Sequence, residues 1–148
     1  YRPAVIKRRY DIMETVVSAV GALPLFLAYL ATATILTLVY LVIYTWVTPH
    51  PEIRLIRDNN LAAAVAFAGS LIGFCLPLAN TIAGSVSLVD CAIWGLIALV
   101  VQILIYFAAR LPMPQISQRI ESGEMASGVW LGSTSLAGGL LNAACMSY

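Results

Sequence analysis

The chain has 148 residues, of which 61% are apolar and only 10% charged, against about 45–50% and about 25% in a typical soluble domain. A soluble protein this small has too much surface to hide so large an apolar share. Composition therefore excludes a water-soluble enzyme, a nucleic-acid module and a disordered tail, and leaves a polytopic all-α membrane protein.

The N-terminal arm, residues 1–23, carries Arg2, Lys7, Arg8 and Arg9. The sequence begins at Tyr1, and Met13 offers a natural start. No signal-peptide pattern precedes the first apolar run, which is too long and lacks a cleavage signature. Residues 10–22 read either as a separate amphipathic or interfacial helix ending at a kink near Pro24, or as the start of one long, tilted and kinked helix. Proline in a helix removes a hydrogen bond and clashes with the preceding turn.

Charge-free runs then follow at 15–51 (with His50 neutral), 59–89, 91–109 and 125–148. A helix needs about 20 apolar residues to cross the hydrocarbon. Four spans are therefore expected near 24–47, 61–84, 88–110 and 125–146. Backbone groups cannot stay unpaired in lipid, which favours helices. A barrel would need alternating polar and apolar residues, and Ile97-Ala98-Leu99-Val100-Val101 does not alternate.

A repeat appears at an offset of 63 or 64 residues. Pro49-His50-Pro51 matches Pro112-Met113-Pro114, and each precedes a short amphipathic stretch, polar capping residues and a small-residue helix. The expected organisation is a first two-span repeat at 24–86 and a second at 87–148. Each copy crosses twice, so the two are parallel.

Orientation follows the distribution of basic residues. The arm holds four, and the two long loops hold Arg54, Arg57, Arg110 and Arg119. A start at Met13 removes the first four, and the 48–60 and 111–124 loops then face the cytoplasm.

Gly69 to Gly73 and Gly128 to Gly132 are GxxxG pairs. Small residues let helices approach closely in lipid, so the second and fourth spans are expected to pair. Whether these glycines serve the monomer or an oligomer stays open. Trp46, Tyr44, Trp94 and Tyr106 fall near span ends and suit an aromatic belt.

Four polar residues are candidates for a polar path: Asn80, Asp90, Gln102 and Asn142. Asp90 reads as an intramembrane acid or, within Ser87-Leu88-Val89-Asp90, as a capping-box residue. The other three read as interhelical hydrogen-bonding groups or as the lining of a polar site. His50 is the only histidine and Cys75, Cys91 and Cys145 are scattered, so no metal set appears. No nucleophile pair or phosphate-binding glycine loop stands out. The expectation is a protein that is not an enzyme, uses no cofactor or metal and binds no nucleic acid.

Thr48-Pro49-His50, Asn59-Asn60, Phe67-Ala68-Gly69, Trp94-Gly95-Leu96-Ile97-Ala98-Leu99-Val100, Gln102 and above all Leu141-Asn142-Ala143-Ala144-Cys145-Met146 resemble the YjfL-like family of bacterial inner-membrane proteins (domain of unknown function 350). The resemblance covers about 24–148. It implies four spans in two copies, an inner-membrane location and cytoplasmic 48–60 and 111–124 loops. It implies no catalytic residues.

Two functions are compatible with these features. The first is a small scaffold or accessory subunit that joins itself or a larger membrane complex through small-residue helix faces. The second is an oligomeric channel or transporter for an ion or small solute, with its path near Asp90, Gln102, Asn80 and Asn142.

Overall fold

The computed structural model describes residues 2–146, with side chains from residue 13 onward. The side chains of Arg2, Lys7, Arg8 and Arg9 thus lie outside the described residues. Six helices follow one another: α1 (Arg2–Val47), α2 (Glu52–Arg57), α3 (Leu61–Gly84), α4 (Leu88–Arg110), α5 (Ile116–Glu121) and α6 (Met125–Cys145). The described residues contain no strand.

The separate helix at 10–22 is not observed. Helix α1 runs unbroken through Pro24. Pro24 removes one backbone hydrogen bond, and the long apolar stretches on either side keep the helix going, as transmembrane helices tolerate. Thr32, Thr34 and Thr37 satisfy their hydroxyls on the carbonyls of Ala28, Leu30 and Ala33. The helix ends ahead of Pro49, because the residue before a proline is pushed out of the helical region.

Among the described residues, three helices are long and apolar enough to cross a membrane: Met13–Val47, Leu61–Gly84 and Leu88–Arg110. The expectation of four is corrected. Helix α6 has the length, with 21 residues, but Ser127, Ser133, Thr134, Ser135, Asn142 and its glycines dilute its apolar content. The 125–148 run is free of charge, and freedom from charge is a weaker condition than hydropathy.

The long helices alternate in direction. Tyr40 on α1 meets Ser70 and Phe74 on α3, while Tyr44 meets Phe67, so these two run antiparallel. Helix α4 is antiparallel to α6, with Gln102 against Ser135 and Ala109 against Trp130. Helices α3 and α6 run parallel and make the most extensive pairing. The core between them holds Tyr40, Tyr44, Phe74, Leu78, Ala98, Tyr106 and Leu131.

Tyr44 and Tyr106 are therefore not belt residues. They are buried and meet edge to face at 5.6 Å, an arrangement aromatic rings favour. Trp46, 84% exposed, does face outward.

The two short helices end alike. Asp58, Asn59 and Asn60 donate to the carbonyls of Arg54, Ile56 and Leu55; Ser122, Gly123 and Glu124 donate to those of Gln118, Ile120 and Arg119. In each, the reversal rests on a left-handed residue, Asn59 (φ 59°) or Gly123 (φ 81°), as in a Schellman ending.

Candidate functional site

The four glycines lie inside the chain. A methyl group on Gly69 would fall on the Gly132 backbone, one on Gly128 on the Ala62 backbone, and one on Gly73 against Ser135 and Gln102. On Gly132 it would approach the Val65 carbonyl to 2.7 Å. These small-residue faces cover each other within the monomer.

The structure divides the polar candidates. Asn80 and Asp90 share a cavity of about 200 Å³ with Thr81, Ser85, Trp94 and Met146. It lies where α3 ends, α4 begins and α6 ends. Asn80 Nδ2 donates to the Ala143 carbonyl at 2.9 Å. Asp90 caps α4: its N–H donates to Ser87 Oγ, and its carboxylate accepts from the Val86 N–H. Asn142 sits beside Ala143, and its buried Nδ2 makes no hydrogen bond within the chain. Gln102 is apart from these, 1% exposed in mid-bundle. Its Nε2 donates to the Ser135 carbonyl at 3.0 Å, while Oε1 has no partner in the chain.

A second polar cluster lies at the opposite end of the bundle. His50 and Glu52 are each 2% exposed, with Nε2 3.3 Å from Oε1. Tyr44 from α1 and Thr48 just after it face the carboxylate. Tyr106 from α4 stands nearby, with Ser117 of α5 and Arg110 against it. The Arg110 guanidinium is 5.6 Å from the Tyr106 ring centre. Burial holds the Glu52 carboxyl above its ordinary range, and His50 pulls it back in part. Tyr44 also faces Ser70, whose Oγ is 2.6 Å from Tyr40 Oη. Polar side chains thus recur from the His50–Glu52 pair past Ser70 and Gln102 towards the Asp90 cavity.

Sequence reasoning missed this cluster because Pro49-His50-Pro51 and the amphipathic stretch after it read as a corner within a cytoplasmic loop. One signal was present. Leu36, Tyr40, Tyr44 and Thr48 recur every four residues, a spacing that puts them on one helix face, and all four are buried. Among the described residues no group of three metal-ligating side chains assembles.

Residues 17–146 match the family described as Domain of Unknown Function (DUF350). The chain is 42% identical over 123 residues to the UPF0719 inner membrane protein YjfL of Escherichia coli, covering 83% of this chain and 93% of that one. It is 28% identical over 103 residues to the UPF0719 transmembrane protein YshE of Bacillus subtilis, covering 68% and 77%. No solved structure matches it. Those relatives are named as membrane proteins, in keeping with the three apolar helices here. The match over nearly the whole length shows that the chain belongs to the DUF350 family.

Proposed function

We propose that this integral inner-membrane protein carries an ion or small solute, working as one subunit of an oligomer. The observation that carries this reading is Gln102. A half-satisfied amide in mid-bundle is costly, and it lies between two polar ends. Polar groups inside a membrane bundle are expensive and mark substrate or ion pathways. A monomer this slender makes a poor pore, so the path would be completed between copies.

Two finer assignments belong to the same reading. The two halves are copies of one unit, supported by the matching ends of α2 and α5, each hydrogen bond recurring 64 residues on. The chain is multi-pass with its 48–60 and 111–124 loops in the cytoplasm, supported by their arginines. A cysteine placed at Ser122 should then react only with reagents admitted to the inner side.

The test is flux into proteoliposomes, read with a trapped pH dye under a proton gradient and with K⁺ in parallel. Wild type should exceed empty vesicles, and Gln102→Leu and Asp90→Asn should lower the rate. Flux at the level of empty vesicles would sink the proposal.

The scaffold reading keeps one observation in its favour. Residues 13–27 of α1 are exposed throughout, a mostly apolar length that none of the other described helices buries. Native mass spectrometry after mild extraction would test it, and a strictly monomeric, partner-free protein would count against it.

A further inference from the structure

The corner between α1 and α3 buries the one imidazole of the chain against a carboxylate. Helix α2 has six residues, of which only Glu52 is buried. Ile53 is 54% exposed, and Arg54 and Asp58 face each other on the surface. Leu55 and Ile56 pack half-buried against the core, and the Glu52 carboxyl is the polar anchor of α2.

The surroundings of that anchor are almost neutral. Helix α1 presents Tyr40 and Tyr44, with Thr48 just after it; α3 presents Ser70; α4 presents Tyr106 and, behind its ring, Arg110; α5 presents Ser117. Cys75 lies beyond Tyr40. Arg110 is turned to the Tyr106 ring rather than paired with Glu52. Among the described residues, His50 is the one group in direct reach of the carboxylate that can become a cation.

Proton counting then limits the states of the pair. With one titratable proton it is neutral overall, as imidazole beside carboxylic acid or as imidazolium beside carboxylate. Without it, a net negative charge is left in a site that excludes water, and an uncompensated buried charge is strongly unfavourable. Both carboxylate oxygens and both ring nitrogens lack a well-aligned hydrogen bond within the chain, and the donors that face the carboxylate, His50, Tyr44 and Thr48, offset its burial only in part. Both side chains of the pair are buried, 0% and 1% exposed.

We propose that His50 and Glu52 form a binding site for one proton that locks α2 onto the helix bundle. Release of that proton from the carboxyl oxygen or the imidazolium nitrogen to bulk water leaves the anion, and α2 loosens as Glu52 moves towards solvent. No other bond forms or breaks. The inference is independent of the transport reading, since it is tested without flux.

The direction of the pH effect follows from Glu52. Burial raises its carboxyl above the ordinary range. Its contribution is therefore complete at pH below the ordinary carboxylate range. It falls away as pH rises to the raised value.

The experiment uses the full chain in lipid nanodiscs, labelled with carbon-13 at the glutamate carboxyls. The glutamates are Glu14, Glu52, Glu121 and Glu124. One signal should titrate above the other three, vanish in Glu52→Gln and move to still higher pH in His50→Gln. Amide exchange at residues 53–57, corrected for its intrinsic pH dependence, should lose protection by about tenfold per pH unit between the ordinary and the raised value. It should stay flat in Glu52→Gln, which mimics the loaded state. All four carboxyls titrating together would overturn the proposal. So would a high signal that survives Glu52→Gln, or the same loss of protection in that variant. If Glu52→Gln fails to fold, the wild-type titration and the His50→Gln shift decide alone.

Discussion

Gly69 and Gly132 meet backbone to backbone, with no space for a side chain on Gly69. The contact holds α3 and α6 together in parallel, and it lies inside the monomer. Close backbone approach of this kind replaces the hydrophobic driving force that lipid removes.

Gly69→Val should therefore force the two helices apart. The obstacle is backbone, which cannot swing aside as a side chain can, so the cost should reach or exceed the usual overpacking range of about 1–3 kcal/mol. Gly21→Ala is the control. A methyl group there meets nothing within 4 Å, and alanine favours a helix over glycine by about 1 kcal/mol. Thermal unfolding in mild detergent, followed by circular dichroism, should show the first variant melting well below wild type and the second at or above it.

Tyr40→Phe isolates one polar contact in the core. The ring stacks on Phe74 with centres 4.4 Å apart, and phenylalanine keeps that packing. What is lost is the hydroxyl's contact with Ser70, at 2.6 Å to Oγ and, as donor, at 3.2 Å to the carbonyl, leaving the buried Ser70 hydroxyl without its partner. The expected loss is about 1–2 kcal/mol. Tyr40→Ala should cost about 3–5 kcal/mol by opening a cavity. A difference of that order between the two variants in the same melting experiment would separate the hydroxyl from the ring.

How far the sequence can be read depends on what each signal measures. The starts of α3 and α4 were legible because Asn60 and Ser87 cap them through local hydrogen bonds. Counting charges located α6 but overstated it, since serine, glycine and asparagine are uncharged without being apolar. Pro24 signalled a break that its apolar flanks override. The His50–Glu52 pair was legible only in part: the spacing of Leu36, Tyr40, Tyr44 and Thr48 marks one face, but burial of the pair depends on residues far along the chain. Tyr106 and Ser117 complete the enclosure from α4 and α5, and no local pattern announces such a partner.

Asn60→Ala should loosen two connections at once. The Asn60 side-chain oxygen accepts from the Ala63 N–H at 3.0 Å and caps α3. Its amide donates to the Ile120 carbonyl at 2.8 Å, tying the first corner to α5. Loss of a cap costs about 1 kcal/mol, and the tie to α5 adds a similar amount. Asn60→Asp keeps the cap and loses the tie. Its melting temperature should lie between those of Asn60→Ala and wild type.

The second corner should respond to pH in the opposite sense from the first. Arg119 grips Glu124 through two hydrogen bonds, of 2.7 and 2.6 Å. Hydrogen bonding and charge from Arg119 hold the Glu124 carboxyl below its ordinary range. A lowered carboxyl contributes stability above the ordinary carboxylate range and loses it as pH falls through the lowered value. Both groups lie at the surface, so salt should weaken the effect. Amide exchange at residues 121–125 should therefore speed up, after intrinsic correction, as the solution is made acidic. Glu124→Gln should remove that dependence, and molar salt should flatten it in wild type. In the same acidic range, residues 53–57 should hold their strongest protection. Opposite slopes at the two corners of one chain would exclude global acid unfolding as the common cause.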